Sequence, residues 1–284
     1  MTHPLDRWLT ITDTEYSAID AVRSSQISAA DKRSWYHASQ PRADNPAFRV
    51  GRAIHCAILE PLTFSDRFVV MPEFDARTKA GKAVRDEWLI KSEMVHHDVD
   101  TLTAAEHEMV MRLSNIITDH DEAQDHLWPA IEAGQVEQSV IWDDPTGVRC
   151  KARLDAWHTD TIADVKSTSD ASPEAFDRAV RDYRYHISAA HYRTGAADLI
   201  DPLGEYERIR FVLIAVEKTA QSCDEVAIYD LSEHYLQIGG AVRHRLLCDY
   251  ADIKAGLQDA GYPRHTQTLE PPEWLARRYT NGHR

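Results

Sequence analysis

Two patterns of apolar and polar residues divide the chain near Gly134. The first part carries the apolar spacing of amphipathic helices. It predicts a broken helical segment over residues 14–36 and helices over 48–59, 83–96, 104–120 and 121–132. Pro61 ends the helix over 48–59, since proline cannot continue a helical hydrogen-bond pattern. Polar loops are predicted over residues 40–46 and 75–82.

After Gly134, short runs rich in β-branched and aromatic residues indicate strands. Strands are predicted over residues 136–142, 150–157 and 161–166, with tight turns between them, so these three should form an antiparallel meander. The remaining elements are predicted in the order helix 173–183, helix 186–199, strand 208–217, strand 225–230, and a helix capped by Ser232 that runs to about residue 257.

This order predicts an α+β fold in which helices flank one mixed central sheet. We expect a single domain over residues 1–284. Its parts are a helical N-terminal region to about residue 132, a core over about 133–260 and a tail over 261–284.

The composition is that of a soluble globular protein, with 43% hydrophobic and 27% charged residues. No run of eighteen apolar residues occurs and the N-terminus lacks a signal-peptide pattern, so a cytoplasmic location without membrane association is expected. The four cysteines are scattered without a C-x-x-C pair, which argues against a zinc ribbon or an iron–sulfur cluster.

A net charge of −14 argues against a protein that coats DNA over its whole surface, but it permits one basic groove. Two clusters of positive charge either contact phosphate or are solvated faces. They are Arg149, Lys151 and Arg153 on a predicted strand, and Arg178, Arg181 and Arg184 on a predicted helix.

Acidic residues on the three strands of the predicted meander suggest metal chemistry. Glu137, Asp155 and Asp164 lie on successive strands, and Lys166 shares a face with Asp164 because side chains alternate along a strand. Asp155 and Asp164, with a main-chain carbonyl such as that of Val165, suit Mg²⁺. A nearby ammonium can orient water and stabilise charge during phosphodiester hydrolysis.

A D-x-K sequence alone is weak support, because charges on the solvent side of a sheet would give the same pattern. The chain contains a second one, Asp252-Ile253-Lys254, inside the predicted C-terminal helix. Residues two apart on a helix do not share a face, so we interpret this second pair as surface charge.

Further segments resemble the PD-(D/E)XK nuclease superfamily, and specifically its RecE-type (exodeoxyribonuclease VIII-like) branch of phages and prophages. The matching segments are Gly51 to Pro61 (G-x-x-x-H…L-E-P), Arg77 to Lys82 (R-T-K-x-G-K), Glu137, Arg153 to Asp155, Asp164 to Thr168, Tyr185 to Tyr192 (Y-x-x-Q-A-A-x-Y) and Val216 to Lys218 (V-E-K). The resemblance therefore implies a restriction-endonuclease-like core.

The resemblance also implies roles for individual residues. A lone histidine at position 55 would be interpreted as packed and hydrogen-bonded, but the resemblance reverses this and makes His55 a metal ligand from the helical region. Asp155 and Asp164 would be the central metal ligands and Lys166 the catalytic lysine. Glu137 would take an outer or second-metal position.

Residues that would contact the substrate follow from the same match. Tyr192 would touch DNA or position the lysine, with a core aromatic as the alternative, and Arg52 and Arg153 are candidate substrate contacts. Ser188 stands where the branch usually has glutamine, so we expect an altered substrate contact there. His186 or His191 could compensate for it.

The resemblance implies a Mg²⁺-dependent 5′→3′ exonuclease on double-stranded DNA ends, with Mn²⁺ able to substitute. Such an enzyme would supply single strands to an annealing protein in phage-type recombination, and a homo-oligomer is expected. Two alternatives stay open. One is an endonuclease or nickase of the same superfamily, and the other is a non-catalytic DNA- or protein-binding module on this fold.

Overall fold

A five-stranded mixed sheet forms the centre of the structure, a computed structural model that describes residues 8–41, 45–75, 77–95, 99–201, 208–218 and 224–280. The strands are β1 (Phe68–Val70), β2 (Asp100–Leu102), β3 (Val136–Asp143), β4 (Arg149–His158), β5 (Thr161–Thr168), β6 (Arg210–Glu217) and β7 (Val226–Asp230). The sheet order is β3-β4-β5-β6-β7, and only β5 and β6 are parallel neighbours within it. The antiparallel meander is therefore confirmed, whereas the short parallel pair of β1 and β2 was not predicted.

The helices largely follow the predicted order. They are α1 (Asp13–Ala18), α2 (Ser24–Lys32), α3 (Trp35–Ala38), α4 (Pro46–Leu59), α5 (Phe64–Arg67), α6 (Lys79–Val95), α7 (Ala104–Thr118), α8 (Asp121–Glu132), α9 (Pro173–Tyr183), α10 (Tyr185–Ile200), α11 (Glu233–Lys254) and α12 (Glu273–Thr280). Within the described ranges, no helix combines the length and apolar character needed to cross a membrane.

Two boundaries differ from prediction. Helix α6 begins at Lys79, so the second half of the predicted loop over 75–82 is wrong; the Thr78 hydroxyl accepts a hydrogen bond from Gly81 N–H at 2.9 Å and caps the helix. Helix α12 occupies part of the predicted tail, where Pro272 begins its first turn. The predicted turn residues 42–44 and the predicted helix end at residue 96 lie outside the described residues.

Helices cover both faces of the sheet, which confirms the predicted architecture. Helices α4, α7 and α8 pack on one face, where Ile54, Leu113 and Leu127 are fully buried. Helices α9 and α10 cover the other face, with Phe176 at its centre. Strand β6 is buried on both faces, which accounts for its almost uninterrupted apolar sequence.

The N-terminal segment is attached to the strand β4 through the side chain of Lys151. This lysine is buried, and its Nζ donates hydrogen bonds to the carbonyls of Tyr16 at 2.6 Å and Ile19 at 2.8 Å. Arg149, on the same strand, lies 3.6 Å from the Asp143 carboxylate. Lys151 therefore fits neither alternative for this cluster, phosphate contact or a solvated face, because its ammonium is buried and bonded to the protein's own backbone.

A buried polar network ties α10 and α11 to the first hairpin of the sheet. Arg243 contacts the Asp144 carboxylate and donates through Nε to His191 Nδ1 at 3.2 Å. His191 Nε2 in turn donates to the Lys151 carbonyl at 3.1 Å. The imidazole is therefore held in its neutral form, and burial lowers its pKa from 6.5 to about 3.

The pKa of His191 predicts an acid-dependent loss of stability. Its folded-state pKa is depressed, so its contribution is complete above pH 6.5 and declines as pH falls towards 3. We expect the stability advantage of the wild type over His191→Gln to shrink by about 2 kcal/mol between pH 7 and pH 5, since each pH unit below 6.5 corresponds to about 1.4 kcal/mol. Urea unfolding at both pH values measures this, and an advantage that is the same at both would contradict it.

Candidate active site

The strands β4 and β5 separate at the position of the predicted site. Backbone pairing between them covers three residue pairs, ending at Ala156 with Ala163. Beyond that pair the Val165 N–H donates to the Asp155 carboxylate at 2.9 Å. A side chain thus satisfies a buried backbone donor that a neighbouring strand would otherwise satisfy. Both strands line the cleft that lies beside this point.

The backbone is also irregular at Glu137, the residue of β3 nearest to this separation. Glu137 has a φ of +48°, which is unusual for a residue with a side chain. On the neighbouring strand, Leu154 and Ala156 belong to opposite cores, although residues two apart normally face the same side. This local break in alternation turns the carboxylates of Glu137 and Asp155 into the cleft.

His55, Glu137 and Asp155 converge from three elements, with ligand atoms within 4.8 Å of one another. His55 lies on α4, and its Nδ1 is 3.4 Å from Asp155 Oδ2 and 3.8 Å from Glu137 Oε1. Its Nε2 donates to the Val165 carbonyl at 3.1 Å, which orients the ring. Such a bond on the far nitrogen is a common way to aim a histidine at a metal ion.

The electrostatics of this group favour a bound cation. Burial alone would lower the pKa of His55, but the Asp155 and Glu137 carboxylates outweigh it and raise the pKa to about 9. One imidazole nitrogen and two carboxylates match the donor set of Mn²⁺ and, with water, of Mg²⁺. His55, Glu137 and Asp155 are therefore the residues that would hold a divalent ion.

Asp164 and Lys166 form a pair beside this group. The Lys166 ammonium contacts the Asp164 carboxylate, and Asp164 is buried and does not itself line the cleft. Burial raises the pKa of Asp164 to about 6, although Lys166 opposes this shift. Burial disfavours the charged form of Lys166, but Asp164 and Asp155 outweigh it and raise the pKa of the ammonium. Asp164 thus contacts Lys166 here, and its predicted role as a metal ligand stays a prediction.

The Val165 carbonyl, predicted as a metal ligand, accepts two hydrogen bonds in this structure. One comes from His55 Nε2 and the other from Lys166 Nζ at 3.3 Å. It connects the metal-binding group to the lysine, and its role as a direct ligand also stays a prediction.

The two predicted substrate arginines line the cleft but are paired within the protein. Arg153 donates to the Ile11 carbonyl at 2.7 Å and also contacts the Asp13 carboxylate. The Arg52 guanidinium donates hydrogen bonds to both carboxylate oxygens of Asp100, at 2.9 and 3.1 Å. Each guanidinium therefore holds a wall of the cleft in place.

The predicted substrate residues of α10 lie behind the cleft wall. Tyr192 is half-buried against the core, its hydroxyl accepts a hydrogen bond from Ser24 at 3.3 Å, and burial raises its pKa. Ser188 is half-buried and does not line the cleft. His186 and His191 bond to backbone carbonyls in the interior, so the hypothesis that either compensates for Ser188 is wrong.

The cleft has a volume of about 1300 Å³ and is richer in basic than in acidic groups. Its charged lining contains seven lysines and arginines against five aspartates and glutamates, in a chain with 32 basic and 46 acidic residues. The basic ones are Arg23, Arg52, Arg67, Arg153, Lys166, Arg178 and Lys218. This local reversal of charge suits a polyanionic ligand.

Sequence patterns did not single out two of these residues. Arg23 and Arg67 come from segments far apart in the chain and no spacing rule connects them, whereas Lys218 ends the V-E-K segment. Of the predicted helical cluster, Arg178 lines the cleft, whereas Arg181 and Arg184 pair with nearby aspartates.

Two substitutions of Asp155 distinguish its role in the fold from its proposed role as a metal ligand. Asp155→Ala removes the acceptor of the buried Val165 N–H, whereas Asp155→Asn keeps an acceptor oxygen. We expect the alanine variant to be less stable than the asparagine variant by about 1–3 kcal/mol, the cost of an unsatisfied buried donor. Urea unfolding without metal measures the difference, and equal stabilities would show that the hydrogen bond contributes nothing.

Metal binding by the His55 group has its own test. Mn²⁺ should raise the melting temperature of the wild type, because a ligand of the folded state stabilises it. His55→Ala should bind Mn²⁺ at least about tenfold more weakly, since loss of even an outer partner of a ligand costs 10- to 100-fold. His265→Ala, at an exposed histidine, is the matched control. Equal Mn²⁺ affinities in all three proteins would exclude His55 as a ligand.

Comparison with known proteins gives the family and the fold of the chain. Residues 17–269 match the family described as "PDDEXK-like domain of unknown function (DUF3799)". A crystal structure of a "putative exonuclease" from Eubacterium rectale is similar in fold, with a TM-score of 0.61 and 13% identity over 96% of this chain and 99% of that one. A search of curated proteins gives no significant match. The chain thus belongs to the PDDEXK-like family DUF3799 and has the restriction-endonuclease-like fold of that superfamily.

Proposed function

We propose that the protein is a metal-dependent deoxyribonuclease, and specifically a 5′→3′ exonuclease that acts on double-stranded DNA ends. The observation that carries this proposal is the convergence of His55, Glu137, Asp155 and Lys166 on one basic cleft in a PDDEXK-like chain. Membership of that family supports a nuclease, and the basic lining supports a nucleic acid as its substrate.

A divalent ion held by His55, Glu137 and Asp155 would supply an activated water and neutralise charge on the phosphoryl oxygens. Arg23 and Arg178, which also line the cleft, would hold the DNA backbone. Because neighbouring carboxylates raise the pKa of Lys166, its side chain stays an ammonium at neutral pH. Lys166 therefore supplies a positive charge that would steady the phosphate and orient water.

The finer parts of the proposal rest on the RecE-type motifs. These motifs support an end-dependent 5′→3′ exonuclease that uses Mg²⁺, with Mn²⁺ as a substitute. A cytoplasmic location stays a prediction. A homo-oligomer and a single-strand annealing partner remain predictions from the same resemblance. An endonuclease of the superfamily is the second candidate, since the same catalytic group serves both reactions.

A cleavage assay with two lysine variants tests the proposal. Linear and closed circular duplex DNA are incubated with wild type, Lys166→Ala or Lys254→Ala, in Mg²⁺ or in EDTA. Lys254 is the matched control because it ends a second D-x-K sequence on the exposed side of α11. We expect Lys166→Ala to lose about 10²- to 10³-fold in rate, the usual cost of removing one group that stabilises developing charge. Lys254→Ala should retain full activity.

The substrate pattern distinguishes the two candidates. Degradation of linear DNA alone, abolished by EDTA, supports the exonuclease, and 5′- and 3′-labelled ends then give its polarity. Nicking or cutting of the closed circle would replace it with the endonuclease. Absence of Mg²⁺-dependent cleavage on every DNA would leave a binding module.

A further inference from the structure

Two tyrosines form part of the cleft wall beside Lys166. Tyr183 ends α9 and Tyr185 begins α10, and Arg184 between them has a φ of +65°. This sharp connection places both rings on the same side, with centroids 5.7 Å apart and planes inclined by 21°. The rings are therefore stacked, and both line the cleft.

The stacked rings lie between two ammonium groups. Lys166 Nζ is 5.5 Å from the centroid of Tyr185, and Lys32 Nζ is 5.3 Å from the centroid of Tyr183. Arg178 also lines this wall, together with the carboxylate of Asp182. Flat aromatic surface next to cations is the composition that binds nucleotides, because the base stacks on the ring while phosphate contacts the cation.

The two rings differ in exposure. Tyr185 packs against the core around Phe176, which makes it a rigid support. Tyr183 is 61% exposed at the edge of the cleft. The turn itself is anchored, since Arg184 Nε donates to the Asp31 carboxylate at 2.7 Å. A left-handed conformation at a non-glycine residue costs about 1–3 kcal/mol, so the fold sustains strain here while it displays the Tyr183 ring.

We propose that Tyr183 and Tyr185 form a stacking subsite for an unpaired nucleobase of the DNA next to the phosphate at Lys166. Inside a duplex both faces of a base are already covered by its neighbours. Only a base that is unpaired or frayed from an end offers a free face to Tyr183. The Lys32 ammonium, which lies over the Tyr183 ring in this structure, would be displaced by the base and would then contact the backbone phosphate of that nucleotide. The subsite rests on the proposed function for DNA as the ligand, and it adds a preference for ends with unpaired nucleotides.

Fluorescence of 2-aminopurine tests the subsite without cleavage. Duplexes that carry the probe either in a short 5′ overhang or at an interior position are titrated with the full-length protein in EDTA. We expect stacking to quench the overhang probe and leave the interior probe unchanged. Tyr183→Ala should weaken binding of the overhang duplex roughly 5- to 150-fold, the range for loss of one stacked base. Tyr183→Trp should retain both quenching and affinity, because indole also stacks.

Tyr262→Ala is the matched control, since Tyr262 is 56% exposed and lies outside the cleft. Circular dichroism and melting temperature confirm that each variant is folded. Affinity of Tyr183→Ala within twofold of wild type, or equal quenching at both probe positions, overturns the subsite. Absence of quenching in the wild type overturns it too, even if the protein cleaves DNA in Mg²⁺. Overhang quenching that depends on Tyr183 in a protein without Mg²⁺-dependent cleavage supports the subsite and overturns the nuclease.

Discussion

The hydrogen bond from the Val165 N–H to the Asp155 carboxylate is the interaction on which the site depends. It occurs where β4 and β5 stop pairing, and it satisfies a buried donor that the separation would otherwise leave without a partner. His55 satisfies the carbonyl of the same residue. The residues of the candidate site thus replace part of the sheet's own hydrogen bonding, so fold and function constrain the same side chains.

The same constraint sets the charge distribution. Glu137 and Asp155 lie near one another because their strands remain neighbours at this point, and the negative potential they create raises the pKa of His55. On the opposite side of the Val165 peptide, Asp164 keeps Lys166 charged. The group that would bind a metal cation (His55, Glu137 and Asp155) and the Lys166 ammonium are therefore separated by a single peptide unit.

Sequence patterns predicted the fold well because its strongest signals are local. The five strands of the sheet, the long helices and the mixed arrangement follow from residue spacing and turn composition. The cap at Thr78 was missed because its polar residues resemble a loop, and β1 and β2 were missed because three-residue strands carry almost no periodicity.

Part of the candidate site is recognisable from the sequence because its signals are also local. Glu137, Asp155 and Lys166 are recognisable from strand spacing, and His55 from its motif. Whether a charged side chain faces the cleft or the protein's own backbone depends on tertiary contacts. Lys151 and Arg153 have similar sequence surroundings, yet one is buried under the N-terminal segment and the other lines the cleft. The exposure of Tyr183 has no sequence signal at all.

The bonds of Lys151 and Arg153 make residues 8–22 an integral part of the cleft. The Trp8 ring stacks on the Trp157 ring, with their centroids 4.8 Å apart. Asp13 and Tyr16 form part of the cleft wall. The family match begins at residue 17, after much of this segment. A fragment that contains the complete cleft must consequently begin before residue 17, where the family match begins.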